Sequence, residues 1–229
     1  MKFKSALVTQ VSGSVGGMTG SHNKGGMYFR SRAIPTNPNS PEQQAIRSAV
    51  ADLSNQWSNI LTIAQRDAWD VYASNVLLPG PLGDPRAVTG LNMFVRSNTP
   101  RSQAGLPVVL AAPTIFDLGE YTAPAIASVT AATNIASITF TAADAWVDED
   151  DSAMLFFGSR PQNQSINYFK GPYRLAGQIL GDSVTPPTSP AAITNTFNLE
   201  VGNKLFIRAA VTRADGRLST PIFLEGIAV

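Results

Sequence analysis

From residue 125 to residue 226 the sequence breaks into short runs of alternating apolar and polar residues, closed off by Gly, Pro, Asn or Asp. Seven runs stand out: 125–130, 135–142, 153–158, 173–180, 196–200, 204–213 and 218–226. In the sixth, Leu205, Ile207, Ala209 and Val211 alternate with Phe206, Arg208, Ala210 and Thr212. A period of two puts each set on its own face of a strand. Ala214-Asp215-Gly216-Arg217 reads as the turn that joins the last two runs. Strands this short and this closely spaced, with no helical pattern between them, predict an antiparallel sandwich over about 113–229.

The first 110 residues obey other rules. Residues 5–34 are glycine-rich, and His22-Asn23-Lys24-Gly25-Gly26 supplies the positive φ that a tight hairpin needs. In the strand after it, Tyr28, Arg30 and Arg32 share one face. The stretch from Pro35 to Pro41 cannot continue a strand ladder and reads as a stiff connector. It ends in a helix start, with Ser40 as cap, Pro41 in the first helical position and Gln43 completing a capping box. Ile46, Val50, Leu53, Trp57 and Ile60 then recur at helical spacing. A second box, Thr62 with Gln65, opens a helix carrying Trp69, Tyr72 and Ala73, and the two helices read as an αα-hairpin. A third short helix comes after Thr89-Gly90 with Leu91, Phe94 and Val95. The expected fold is mainly β with a small helical part: an N-terminal hairpin and short helices (1–110), then an antiparallel β-sandwich (113–229).

Composition narrows the chemistry. The 229 residues are enough to bury a core without covalent staples, and there is no cysteine for a disulfide, a thiol nucleophile or a thiolate metal site. The single histidine, His22, rules out a two-histidine metal helix, and its glycine-rich turn would hold a catalytic imidazole poorly. The acidic run Asp148-Glu149-Asp150-Asp151 lacks the alternating spacing of a calcium loop and reads as a solvated loop. Catalytic, cofactor and metal residues are therefore expected to be absent. After Met1-Lys2-Phe3-Lys4, the apolar stretch Ala6-Leu7-Val8 is too short for a signal-peptide core, so synthesis in a cytoplasm without export is expected. No apolar run is long enough to span a bilayer.

Only 14% of the residues are charged, which suits a packed assembly better than a freely diffusing enzyme. Residues 1–110 carry ten Lys/Arg against five Asp/Glu, and 111–229 carry seven against eleven. Lys24, Tyr28, Arg30, Arg32 and Arg47 form the candidate partner-binding set. Four cations grip phosphate only modestly and in a salt-sensitive way, so carboxylates on a neighbouring subunit are preferred to nucleic acid as their target. Two isolated strands and three short helices are marginal in water, so the helices are expected to lie against the β-sandwich or another protein, and the first third to order fully on a neighbour. In the sandwich, Trp146, Tyr168 and Tyr173 are the aromatic candidates for a glycan or cell-surface ligand.

Two resemblances add to this reading. The strings Ser12-Gly13-Ser14-Val15-Gly16-Gly17, Asn23-x-Gly25-Gly26-x-Tyr28-x-Arg30-x-Arg32, Pro35-x-Asn37-Pro38, Gln65-Arg66-x-Ala68-Trp69-x-x-Tyr72-Ala73 and Thr89-Gly90-x-x-x-Phe94 span about residues 10–98. Together they resemble a group of small bacteriophage and prophage proteins that join such a head to a β-sandwich tail. The resemblance implies a structural virion role, beside the major capsid protein and further copies of the chain, and brings no catalytic residues. The run 205–211 with Gly216-Arg217-Leu218-Ser219-Thr220-Pro221 after it is similar to the end of a fibronectin type III module, which implies an immunoglobulin- or fibronectin III-like sandwich over 113–229, serving as a spacer or binding unit. Accessory capsid protein is the leading expectation, a tail or head–tail connector component the near alternative, and an adhesion module the alternative of another class.

Overall fold

The computed structural model describes residues 2–3, 12–80 and 84–229. It is mainly β, with three helices, and it divides into two compact units at Pro41 rather than between residues 110 and 113.

The first unit is one antiparallel sheet. Its strands are β1 (Lys2–Phe3), β2 (Gly13–Val15), β3 (Met18–Asn23) and β4 (Gly26–Ser31), in the order β1-β4-β3-β2. The expected hairpin is β3–β4, with Asn23 opposite Gly26 and Tyr28 opposite Ser21. Asn23 folds its Oδ1 back to accept from the Gly25 amide at 2.9 Å, and Gly26 takes a φ of +102°, which a side chain would resist. A second two-residue turn at Gly16-Gly17 adds β2 to the sheet.

The second unit opens at Glu42, one residue into α1 (Pro41–Asn59), and continues with α2 (Ile63–Asn75). The expected capping box is present: the Gln65 amide donates to Thr62 Oγ1 and the Thr62 amide to Gln65 Oε1. A two-stranded ribbon, β5 (Leu78–Pro79) with β6 (Pro85–Arg86), leads to α3 (Gly90–Gln103), capped by Thr89. The main helix partner of α2 is α3 rather than the α1 of the expected hairpin. Gly90 makes that approach possible, since its amide donates to Asp70 Oδ1 at 2.8 Å and an added Cβ would sit 2.7 Å from the Asp70 backbone nitrogen. Trp69, Tyr72, Met93 and Phe94 form the helical core, with Trp69 edge-on to both Tyr72 and Phe94.

Seven strands complete the chain: β7 (Ala125–Thr130), β8 (Ile135–Thr139), β9 (Ala153–Gly158), β10 (Arg174–Leu180), β11 (Ala191–Thr194), β12 (Lys204–Thr212) and β13 (Ile222–Ile227). They form two antiparallel sheets, β11-β8-β7 and β10-β9-β12-β13. Val129, Ala136 and Ile138 of the first share one buried cluster with Met154, Phe156, Leu205, Ile207 and Val211 of the second. Residues 196–200, expected as a strand, are not one; the strand lies earlier, at 191–194. The Leu199 amide is taken by the Asn134 side chain at 2.6 Å instead of a strand partner, although Leu199 still enters the core.

The helices and sheets share one unit because the four-stranded sheet is apolar on both faces. Ala153, Leu155 and Phe157 of β9 point away from the inter-sheet core and pack with Ala104 and Leu106, just past α3. Polar clamps reinforce the contact. Arg101, with no exposed surface, donates to Pro107 O at 2.9 Å, Arg213 O at 2.8 Å and Thr212 Oγ1 at 3.2 Å. Trp69 Nε1 donates to Leu110 O, and the Tyr72 hydroxyl to Asp117 O at 2.7 Å. Arg217 joins the 213–217 turn to the segment after the helices by pairing with Asp117 and Asp215.

Candidate interaction surfaces

Of residues 12–41 only Gly20 is buried. Val15 is 86% exposed and Met18 49%. Tyr28 is half-buried, and Lys24, Arg30 and Arg32 are exposed. By register, Tyr28 and Arg30 share a face, opposite Ser21 and Thr19 on β3. Arg32 lies just past β4 and is held through its amide, which donates to Gly17 O at 2.9 Å. Arg47 is on α1 and so belongs to the other unit. The segment 1–41 holds five Lys/Arg and no Asp or Glu, a sharper polarity than the halves of the chain suggested.

The second unit carries a groove on the outer face of its four-stranded sheet. Its centre is Arg208 of β12, which stands in register between Phe157 on β9 and Phe223 on β13. The guanidinium lies 5.0 Å from the centroid of the Phe157 ring. Its Nε is buried without a hydrogen-bond partner, and burial pulls the group below its ordinary pKa. Arg96 of α3 behaves alike: Nη1 is buried and unpartnered, Nη2 reaches only Ser219 O at 3.3 Å, and burial lowers its pKa too. Neither forms an ion pair among the described residues, whereas Lys204, Arg174, Arg213 and Arg217 each have a carboxylate.

Three cavities meet along this face. One of about 570 Å³ is lined by Glu42 and Ile46 of α1 together with Phe157, Lys170, Tyr173, Arg174 and Arg208. A second of about 410 Å³ shares Gln103, Phe157 and Arg208 with it and adds Arg96. A third of about 350 Å³ shares Lys170 and Tyr173 with the first, and its other walls include Tyr168, Phe169, Phe206 and Phe223. The Tyr173 hydroxyl donates to Phe169 O at 2.9 Å, and the Phe169 ring stacks on Phe206.

Two of the three aromatic candidates thus come together: Tyr168, 77% exposed, and Tyr173, half-buried. Trp146 does not join them, contrary to expectation. It is 1% exposed, packed on Phe140 in the inter-sheet core, and cannot meet a ligand. Its neighbour Val147 folds into the same core, an apolar pairing that the flanking Asp144 and Asp148 concealed in the sequence. Arg208, Arg96 and Phe223 were missed by sequence reasoning. Arg208 is the one charged residue in the alternating run 205–212, but its unpaired state depends on contacts remote in sequence.

The acidic loop is engaged internally. Glu149 pairs with Arg213 and accepts from the Ala214 amide, while Asp150 accepts from the Ser183 amide and hydroxyl. Among the described residues no group of three or more His, Cys, Asp or Glu could hold a metal ion, and no helix is long and apolar enough to cross a membrane. Comparison with protein-family models, curated proteins and solved structures finds no match.

Proposed function

We propose that the chain is a structural protein of a bacteriophage virion, an accessory capsid component that residues 1–41 attach to neighbouring subunits. The observation that carries this reading is a four-stranded, acid-free sheet in which only Gly20 is buried among residues 12–41. A sheet that buries so little apolar surface gains little from folding alone. Among the described residues its short edge strand β2 has a single strand partner and offers its other side to an incoming strand, and Arg30 and Arg32 offer charge to carboxylates. The partner this calls for supplies apolar cover and negative charge together: the major capsid protein, or a further copy of the chain.

The phage assignment rests on the resemblance over about residues 10–98. The strand orders β11-β8-β7 and β10-β9-β12-β13 around one core support reading residues 113–229 as a fibronectin III-like sandwich, carried by the attachment unit as a spacer or binding module. A tail or head–tail connector component would use the same attachment and differ in copy number.

Quantitative mass spectrometry of gradient-purified particles separates these readings. A copy number equal to that of the major capsid protein, or a simple fraction of it, is the expected result. A handful of copies per particle would move the chain to the tail or connector, and absence from particles would overturn the virion reading. A chain lacking residues 1–35 is expected to fold and yet fail to join the particle; normal incorporation of that truncation would contradict the attachment role.

A further inference from the structure

The groove around Arg208 has the composition of a ligand site, and it lies wholly within residues 42–229, so its chemistry is independent of the virion reading. Arg96 and Arg208, which line one cavity together, form no ion pair among the described residues, and each holds a buried nitrogen without a hydrogen-bond partner. Holding two guanidinium groups partly out of water beside each other costs free energy that the Phe157 ring and the Ser219 carbonyl offset only in part. The deficit is what an anion entering from solvent would remove, and a guanidinium fork meets a carboxylate with two parallel N–H···O bonds.

The remaining walls say what carries that anion. The groove's walls bring cations and rings together in Arg96, Phe157, Arg208, Tyr173, Lys170 and Tyr168, while its two carboxylates, Glu42 and Glu225, are already paired with Arg174 and Lys204. A nucleic acid or polyphosphate calls for a continuous cationic track, and an apolar ligand would leave the guanidinium groups unsatisfied. Flat rings such as Tyr168 and Tyr173 offer an apolar body with a polar tip, suited to a pyranose whose C–H face is apolar and whose edge carries hydroxyls. Three compartments sharing walls suit a ligand built of successive rings. We infer that the groove binds an acidic saccharide, with a uronate carboxylate at Arg208 and Arg96 and a neighbouring sugar ring against Tyr168 and Tyr173.

The probe is an oligogalacturonate titrated calorimetrically into the full chain, beside its methyl ester, which keeps the rings and removes the charge. Saturable binding of the acid and at least tenfold weaker binding of the ester are expected. Arg208→Gln, which removes an unpaired half-buried charge, and Tyr168→Ala, at an exposed position, are each expected to weaken binding at least tenfold with an unchanged circular dichroism spectrum. Should Arg208→Gln misfold, Tyr168→Ala alone decides. Absence of saturable binding, equal binding of acid and ester, or full binding by Tyr168→Ala would overturn the inference. Binding of oligoglutamate as tight as that of the saccharide would also overturn it, and would point to an acidic peptide.

Discussion

Gly181 shows how tightly a single position can be specified. It comes just after β10, and a Cβ there would lie 2.1 Å from Trp146 O, 2.3 Å from Ser152 Oγ and 2.7 Å from Glu149 O. Two of those neighbours are backbone, so they cannot swing aside. Gly181→Ala is expected to destabilise the chain by about 3 kcal/mol, read as a fall in the urea midpoint. A buried phenol, Tyr72, and a half-buried one, Tyr121, give a second test at this scale. Desolvation pushes Tyr72 and Tyr121 up to about 12, against the ordinary value near 10. For an acid whose folded pKa is raised, the neutral form belongs to the folded state. Its contribution is complete below about pH 10 and disappears as pH rises toward 12. Stability is therefore expected to fall between pH 10 and 12. Tyr72→Phe should flatten that fall while lowering neutral stability, because the hydroxyl's bond to Asp117 O is lost. An alkaline slope identical to that of the parent chain would contradict this assignment.

Among the elements, α3 holds the helices to the sandwich. Buried Asn98 clamps Val109 from both sides, donating to its carbonyl at 3.1 Å and accepting from its amide at 2.8 Å. Asn98→Ala leaves both backbone groups unpaired and is expected to cost about 2–3 kcal/mol. If the helices and sandwich were independent, that loss would unfold the helices alone; one cooperative unfolding transition is expected instead. The elements also show what local sequence encodes. The Thr62 capping box, the Pro41 helix start and the Asn23–Gly26 turn were all legible, because each is settled within four residues. Residues 196–200 were misread because the Leu199 amide goes to Asn134, more than sixty residues away. The boundary expected near residue 110 fails for a similar reason. The run Ala153–Gly158 is apolar without alternation, a sign that both faces of β9 are covered, and the cover is the segment after α3. The Arg208 groove was legible only as Tyr168 and Tyr173; the unpaired cations appear once β9, β12 and α3 are together.

The whole molecule is two units of unlike character. Residues 42–229 have an inter-sheet core, a helical core and a covered outer face, and bury Trp69, Tyr72, Trp146 and Phe156 almost fully. Residues 1–41 have five cations, no acid and only Gly20 buried among residues 12–41. Backbone bonds with so little apolar cover open at low free-energy cost, so the two units should differ widely in protection. An attachment through Arg30 and Arg32, as proposed, should also weaken as salt is raised from about 50 to about 500 mM. The most direct test of the attachment role is amide hydrogen exchange on the full chain, free and on purified particles. Amides of residues 18–31 are expected to exchange rapidly in the free chain, while those of 153–158 and 204–212 stay protected, and to become protected on the particle. Strong protection of 18–31 in the free chain, or none on the particle, would contradict an attachment sheet that is completed by its neighbour.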